Sequence, residues 1–263
     1  MHNKPYKTGN PALNEKIFED SQQGLSSGET TSALVSEDGA MTLAGTVNKC
    51  YLLLGTTVAA GAVTWHYAFA SPNGTAAVLP WVLTGSVIGF ILALVIIFKR
   101  RTAPVLSLFY AIFEGLFLGG LSAHYESAYP GIVMQGVGLT ACIFLSLLLA
   151  YSSRLVQPTE NFKLGVVAAT GGIVLLYLFN WITTAFFHLP VPFLHDSGWL
   201  GIGVSIVITI VAALNLVLDF DFIEQGVQAR APKYMEWYGA FGLLVTLVWL
   251  YLEILRLIGK ARN

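Results

Sequence analysis

Long apolar stretches separated by short polar connections occupy the chain from about residue 47 to its end. A bilayer core about 30 Å thick needs roughly 20 predominantly apolar residues for each crossing helix. Seven stretches reach that length, and we predict helical spans over about 47–69, 77–98, 104–124, 131–151, 163–186, 199–221 and 238–258. Proline and glycine mark the connections, as at residues 71–74 and 129–131. The pattern predicts an all-α integral membrane protein, a bundle of seven transmembrane helices.

Residues 1–46 differ in composition from the rest of the chain. They are rich in serine, threonine, glycine, asparagine and glutamate and contain no long apolar run. Such segments bury too little apolar surface to fold alone, so we predict a mostly disordered cytoplasmic region over 1–46 and a transmembrane domain over 47–263. For Leu13–Phe18 we favour a frayed tail. The alternative is a short helix that would serve as a membrane-lying anchor or a partner-binding segment.

Lysine and arginine are concentrated on alternate connections, and this asymmetry predicts an orientation. Positively charged residues accumulate on the cytoplasmic side of membrane proteins. The connections near 70–77, 125–131 and 187–199 contain neither lysine nor arginine. The opposite side carries Lys4, Lys7, Lys16, Lys49, Lys99, Arg100, Arg101, Arg154, Lys163, Arg230 and Lys233. The chain is therefore predicted to cross the inner cell membrane several times, with its amino terminus in the cytoplasm.

The carboxyl end does not follow this charge rule. Seven complete crossings would place Arg256, Lys260 and Arg262 on the outer side. Either these charges are tolerated there, or the last helix does not cross the bilayer fully. We favour seven crossings because the first helices usually dominate orientation.

Composition excludes several classes of protein. The chain has 263 residues, of which 55% are hydrophobic and 11% charged, whereas a soluble domain carries about 25% charged residues. A net charge of −1 without a basic stripe argues against nucleic-acid binding. Cys50 and Cys142 lie in apolar runs and are predicted to be buried thiols. Because no Walker loop, HExxH, GxSxG or metal-ligand spacing occurs, we predict a protein that is not an enzyme and has no resident metal or cofactor.

Carboxylates inside the predicted spans are the candidates for chemistry. An ionisable side chain at the centre of a bilayer costs roughly 2.5–3.5 kcal/mol on insertion scales. Glu114 lies near the middle of the third span, and Asp219 and Asp221 close the sixth. Glu114 is either a neutral acid hydrogen-bonded to nearby backbone or a site for an ion or proton. We favour the second interpretation, because an amide would serve the first equally well.

Helical spacing divides the other polar residues among faces. Residues two apart point in roughly opposite directions, so Asp219 and Asp221 cannot share one cavity. Asn215 and Asp219 share a face and are predicted to point inward, while Asp221 and Glu224 are interpreted as an acidic helix end. In the seventh span the candidates on one face are Thr246 and Glu253. An exposed ion pair with Arg256 is the alternative for Glu253, and Glu236 is predicted to stay at the surface near Lys233.

Several motifs together resemble the Bax inhibitor one family. They are residues 219–226 (DFDFIEQG), 232–242 (PKYMEWYGAFG) and 249–259 (WLYLEILRLIG). The chain looks most like the bacterial branch with a longer polar head, which residues 10–13 and 41–49 also fit. The resemblance implies a seven-helix fold in which the seventh helix is central. It also implies a pH-sensitive calcium leak governed by two hydrogen-bonded aspartates, one late in helix six and one in helix seven.

The two-aspartate pattern matches this chain only in part. Asp219 corresponds to the first aspartate, whereas an alignment without gaps places Thr246 at the second position. If the alignment of helix seven is shifted by two turns to superpose residues 250–253, Glu253 takes the second position instead. Either Glu253 or Glu114 replaces the missing partner, or the acid pair is absent. Two buried carboxyls that share a proton titrate as a coupled pair, and a lone Asp219 beside Thr246 would lack that coupling.

The leading hypothesis is a slow, pH-sensitive cation leak, with Ca²⁺ as the ion, in a Bax inhibitor-like membrane protein surrounded by lipid. The candidate gating and ion-path residues are Asp219, Glu114, Asn215, Thr246, Glu253 and Asp221. Ca²⁺ prefers six to eight oxygen ligands, so these residues would form a transient site only. One alternative is a non-conducting protein that binds other membrane proteins or stress factors. Another is a proton-coupled transporter of small solutes that uses Glu114.

Overall fold

The computed structural model of this chain describes residues 39–188 and 198–262. The predictions for residues 1–38, including the choice between a frayed tail and a short helix over Leu13–Phe18, lie outside the described residues. Most of the connection predicted near 187–199 also lies outside them. Residues 39–46 are described, and they contain the start of the first helix.

The described residues form seven α-helices and no β-strand, which confirms the all-α prediction. Two short 3₁₀ turns, Gly74–Val78 and Arg100–Thr102, come before the second and third helices. The first helix begins with Thr42 as its N-cap, whose side chain accepts a hydrogen bond from the Gly45 amide. In chain order the helices are α1 (Leu43–Ala70), α2 (Leu79–Phe98), α3 (Ala103–Ala128), α4 (Ile132–Ser152), α5 (Glu160–Phe187), α6 (Trp199–Gln228) and α7 (Met235–Arg262).

Six of the described helices, α2 to α7, are long and apolar enough to cross a membrane. The first helix, α1, has 28 residues but lies outside this group. Its apolar run is interrupted by the polar residues Asn48, Lys49, Thr56, Thr57 and Thr64. The prediction of seven apolar spans is therefore supported for six helices.

Small residues let α3 approach its neighbours closely. A Cβ atom added at Gly115 would lie 2.8 Å from the Cβ of Ala60 in α1. At Gly119 an added Cβ would collide with the carbonyl of Gly61 and the hydroxyl of Thr64. Gly85 of α2 packs in the same way against the backbone of α3. Glycine spacing thus permits the close helix contacts that the sequence pattern indicates.

The last helix, α7, packs against α1, α3, α4 and α6. Half of its most apolar window is buried, compared with 11% in α4 and in α5. Leu244 and Val248 belong to a core cluster shared with α1, α2 and α3. Leu250 and Ile254 belong to a second cluster, shared with α6. The two largest clusters of the described residues therefore both depend on α7.

The helix α7 extends from one end of the bundle to the other. Its first residue, Met235, packs beside Met41 at the amino end of α1. At the opposite end the Lys260 ammonium donates to the Gly201 carbonyl at 3.1 Å and to Ser205 Oγ at 2.8 Å. A helix of 28 residues is about 42 Å long, which exceeds the bilayer core. Its length and composition are thus sufficient for a complete crossing.

Large apolar side chains cover the outer faces of α2, α4 and α5. Exposed examples are Phe90, Met134, Leu149, Leu175 and Phe186. Water-soluble monomers rarely expose such extensive apolar surface, and lipid would cover it. Cys142 lies on this exposed surface, and Cys50 is partly buried. The prediction that both thiols are buried is therefore wrong for Cys142.

Candidate functional site in the α6–α7 seam

A short connection, residues 229–234, joins α6 to α7, so the end of α6 faces the beginning of α7. On α6, Asp219, Ile223 and Gly226 recur at intervals of four and three and share one face. On α7, Gly239, Gly242 and Thr246 do the same. A Cβ added at Gly239 would lie 3.1 Å from Ile223 Cγ1, and one at Gly242 would lie 3.9 Å from Asp219 Oδ1. We call these two facing surfaces the α6–α7 seam.

Asp219 is the acidic residue of the seam. Its Oδ2 atom is buried and has no hydrogen-bond partner among the described residues. The carboxyl faces the hydroxyl of Thr246, which also donates to the Gly242 carbonyl at 3.3 Å. Buried polar atoms are almost always paired, so an unpaired carboxylate oxygen needs an explanation. It is available to water or to a cation that enters the seam.

The Asn215 side chain binds α5 and the backbone of α6. Its amide donates to Thr170 Oγ1 of α5 and to the Val211 carbonyl, both at 2.8 Å. These bonds tie α6 to α5 and turn the amide group away from the Asp219 carboxyl. Asn215 and Asp219 are one turn apart on α6, as predicted, but the Asn215 amide binds α5, whereas Asp219 faces Thr246 of α7.

Glu114 lies between α2 and α3. Its Oε2 atom would be 3.0 Å from a Cβ added at Gly89, and its carboxyl interacts with the side chain of Tyr110 one turn away. Tyr110 in turn packs edge-on against Phe241 of α7, with the ring centroids 5.0 Å apart. Glu114 thus occupies a separate environment and does not replace the missing partner of Asp219.

Glu253 is the centre of a saturated polar cluster near the far end of α7. Its carboxylate pairs with Arg256 at 3.0 Å and accepts from the Tyr177 hydroxyl at 2.8 Å and from Trp249 Nε1 at 3.2 Å. Arg256 also donates to the Tyr177 hydroxyl. The predicted ion pair exists, but Glu253 is only 1% exposed, so the expectation of an exposed pair is wrong. Tyr177 of α5 supplies the cover that the sequence of α7 alone could not show.

The acids at the end of α6 bind basic residues of the α4–α5 connection and the first turn of α5. Asp221 pairs with Lys163 at 2.9 Å, and Glu224 pairs with Arg154 at 2.8 Å. The Tyr151 hydroxyl also donates to Glu224. These contacts agree with the interpretation of Asp221 and Glu224 as an acidic helix end. They place Asp221 outside the seam, as its spacing from Asp219 indicates.

Glu236 is the buried acid that sequence reasoning missed. It is fully buried and pairs with Lys49 at 2.5 Å. The amide and hydroxyl of Thr42 both donate to its Oε1 at 2.9 Å. The expectation that Glu236 stays at the surface near Lys233 is therefore wrong. Thr42, Gly45 and Lys49 recur at intervals of three and four on one face at the start of α1. This spacing could have indicated an acidic partner.

The seam contains few ligands for a resident ion. No group of three or more histidine, cysteine, aspartate or glutamate side chains that could hold a metal occurs within residues 39–188 and 198–262. A cation beside Asp219 would have one carboxylate, the Thr246 hydroxyl, nearby carbonyls and water. Ca²⁺ prefers six to eight oxygens, so water would have to supply most of them. Such a set suits brief contact with a passing ion.

Nearly the whole chain matches one known protein family. A family model described as Bax inhibitor 1 like matches residues 10–263. The chain belongs to the Bax inhibitor 1 like family. The match covers all seven described helices and confirms the resemblance in the sequence motifs. No individual curated protein matches the chain. Together with the six apolar helices, membership in the Bax inhibitor 1 like family identifies a multi-pass membrane protein.

Proposed function

We propose that this Bax inhibitor 1 like protein lets cations pass slowly through a seven-helix bundle with α7 at its axis, and that Ca²⁺ is one of them. The observation that carries this proposal is the buried Oδ2 of Asp219, which has no hydrogen-bond partner among the described residues. A cation that has lost part of its hydration shell needs an oxygen of this kind. An intramembrane ionisable residue is also a functional candidate on general grounds.

The proposal narrows the ion path to the α6–α7 seam. Asp219 would make the carboxylate contact, and Thr246 with the Gly242 carbonyl would supply further oxygens. Glu114 and Glu253 have contacts of their own outside the seam, so they are secondary positions on any path. The small ligand set favours a leak over a storage site. The proposal involves no catalytic step and no resident cofactor.

The orientation of the protein is part of the same proposal. Lys49 and Lys233 lie at the end of the bundle where α1 and α7 begin, and Arg154 and Lys163 contact the last turns of α6 at that end. The connections at 70–77 and 125–131 contain neither lysine nor arginine. The positive-inside rule then puts the amino terminus in the cytoplasm of the cell and Asp219 toward the cytoplasmic side of the inner membrane.

The response to pH follows from the environment of Asp219. A coupled pair requires two interacting groups that titrate in the same pH range. The seam side chain that faces Asp219 is the neutral Thr246, and the Cys50 thiol of α1, which also interacts with Asp219, is of a type that is uncharged near neutral pH. We therefore expect a shallow pH dependence, of the kind that a single proton produces. A steep two-proton dependence would show that another acid approaches Asp219 in the conducting state.

Calcium flux into proteoliposomes tests the proposal. We expect measurable flux in the parent protein, a large loss in Asp219→Asn, and near-parental flux in Glu114→Gln. Asp221→Asn is the matched control, because it makes the same change two residues away at an ion pair outside the seam. Flux equal to that of protein-free liposomes, from protein shown to be folded, would overturn conduction and favour the interaction role. Solute-dependent proton uptake lost in Glu114→Gln would favour the transporter.

A further inference from the structure

Residues 39–42, which we call the strap, lie across the connection between α6 and α7. The Met41 amide donates to the Ala231 carbonyl at 2.7 Å, and the Lys233 amide donates to the Gly39 carbonyl at 3.0 Å. Ala40 and Pro232 form an antiparallel bridge between these two bonds. The strap is therefore held by backbone pairing outside the α-helices.

The Met41 side chain extends from the strap into the end of the α6–α7 seam. It is only 3% exposed. A Cβ added at Gly226 of α6 would lie 2.8 Å from Met41 Sδ, and one at Gly239 of α7 would lie 3.7 Å from Met41 Cε. Ile223 and Met235 belong to the same apolar cluster. Glycine on each helix thus makes the space that the methionine fills.

This position lies directly between the end of the bundle and Asp219. Gly226, Ile223 and Asp219 follow one another along the seam face of α6, and seven residues of helix correspond to about 10 Å. On α7, Gly239 comes before Gly242 and Thr246 in the same direction. Met41 therefore covers the seam about two helical turns from the acidic side chain, and Ile223 lies between the two.

Glu236 holds the strap against α7. Its Oε1 atom accepts hydrogen bonds from the amide and hydroxyl of Thr42, the last residue of the strap. Its Oε2 atom pairs with Lys49 two turns along α1. A Cβ added at Gly45 would lie 2.5 Å from the carboxylate carbon of Glu236, so glycine is needed there for this approach. One buried carboxylate thus connects the strap, α1 and α7.

We propose that the strap is a removable closure whose Met41 side chain controls the access of water and ions to Asp219. The closure regulates the conduction proposed above and in that sense rests on it. Its described contacts are made by four residues: the backbone pairing with residues 231–233, the Met41 side chain in the seam, and the Thr42–Glu236 bonds. Release of the backbone pairing and of the Thr42–Glu236 bonds would withdraw Met41 and open the end of the seam.

Cys50 provides a natural probe of this closure. It packs against the core clusters that contain Phe220, Leu243 and Phe241, and it lies close enough to Asp219 for the two side chains to interact electrostatically. The chain contains two cysteines, so Cys142→Ser leaves Cys50 as the only thiol. The measurement is the rate at which a charged, membrane-impermeant thiol reagent modifies Cys50 in the reconstituted full-length protein.

We expect Met41→Ala to raise this rate at least about tenfold, because loss of a well-packed side chain favours the open arrangement. Gly226→Ala should raise it too, since the added methyl group displaces Met41 while alanine favours the helix more than glycine does. Met134→Ala, at an exposed methionine of α4, and Leu255→Ala, at a buried site near the far end of α7, are matched controls. Both should leave the rate at the parental value.

Parental rates in folded Met41→Ala and Gly226→Ala would overturn the closure. Equal acceleration in Leu255→Ala would also overturn it, because general loosening would then account for the effect. Calcium flux separates this proposal from conduction, and Asp219→Asn should lower it. The Cys50 rates of the strap variants are compared only in protein that keeps Asp219, because that carboxylate interacts with the thiol and influences its reactivity. Acceleration in Met41→Ala together with no flux in any variant would support the closure and reject conduction.

Discussion

Asp219, near the end of α6, and Glu236, at the start of α7, lie at the same end of the bundle. They differ in their hydrogen-bond partners. Glu236 is fully buried and uses both oxygens, one for Thr42 and one for Lys49. Asp219 faces a single hydroxyl, and its buried Oδ2 has no partner among the described residues. The two acids therefore differ in their unmet hydrogen bonds: both oxygens of Glu236 have partners, whereas the buried Oδ2 of Asp219 has none among the described residues.

The difference has a physical origin in the neighbours of each acid. Glu236 lies in the first turn of α7, where it meets the start of α1, and the long side chain of Lys49 reaches it from the same helix. Asp219 meets glycine and threonine on α7, which leave space beside it and provide no cation. Glu253 resembles Glu236, since Arg256, Tyr177 and Trp249 all bind it. Substitution of each acid by its amide tests this comparison.

The largest effect is expected for Glu236→Gln. The amide can keep the bonds from Thr42, but its NH₂ group then faces the Lys49 ammonium and leaves that charge without an anion. Removal of one partner from a buried ion pair costs about 3–5 kcal/mol, and the partial exposure of Lys49 reduces this to about 2 kcal/mol. The measurement is the free energy of unfolding in mixed micelles. Glu160→Gln is the control, because that acid lies at an exposed pair with Lys163 and should change stability by less than about 0.5 kcal/mol.

A smaller loss is expected for Glu253→Gln. The remaining carbonyl oxygen can still accept from Tyr177 and Trp249, and Arg256 is exposed enough to reach water. We therefore expect a loss of about 1 kcal/mol, the usual net value of one ordinary hydrogen bond. Thermal unfolding monitored by tryptophan fluorescence provides the measurement. A loss larger than that of Glu236→Gln would show that the Glu253 cluster, not the strap region, is the main polar contact of α7.

The sequence predicted the helices well because bilayer thickness fixes the length of an apolar run. The fifth span was predicted over about 163–186, and the helix is Glu160–Phe187. The added residues lie at the ends, where polar caps such as Thr159 extend a helix beyond its apolar part. The close contacts at Gly115 and Gly119 also followed from spacing, since only small residues permit them.

The candidate site was predicted in part. The neighbours Asp219 and Thr246 followed from a family alignment without gaps, because helices six and seven run side by side. Glu236 was missed since its partner Lys49 is 187 positions away in the chain, and no helical period connects such residues. The contact of Asn215 with α5 was not predicted for a related reason: helical spacing gives the residues that share a face, but not the neighbouring helix to which a side chain at the edge of that face will bind.

The smallest effect on stability is expected for Asp219→Asn, and this substitution decides the comparison. Asparagine has nearly the same shape, no hydrogen bond of Oδ2 is lost, and the cost of keeping a carboxylate away from water disappears. The free energy of unfolding should therefore stay within about 0.5 kcal/mol of the parental value, measured in the same micelles as Glu236→Gln. A loss of about 2 kcal/mol would show that Asp219 has a partner essential to the fold. Unchanged stability combined with lost calcium flux would instead assign the unpartnered oxygen to the moving ion, because an acid that contributes nothing to folding and is needed for transport must act on what passes through the seam.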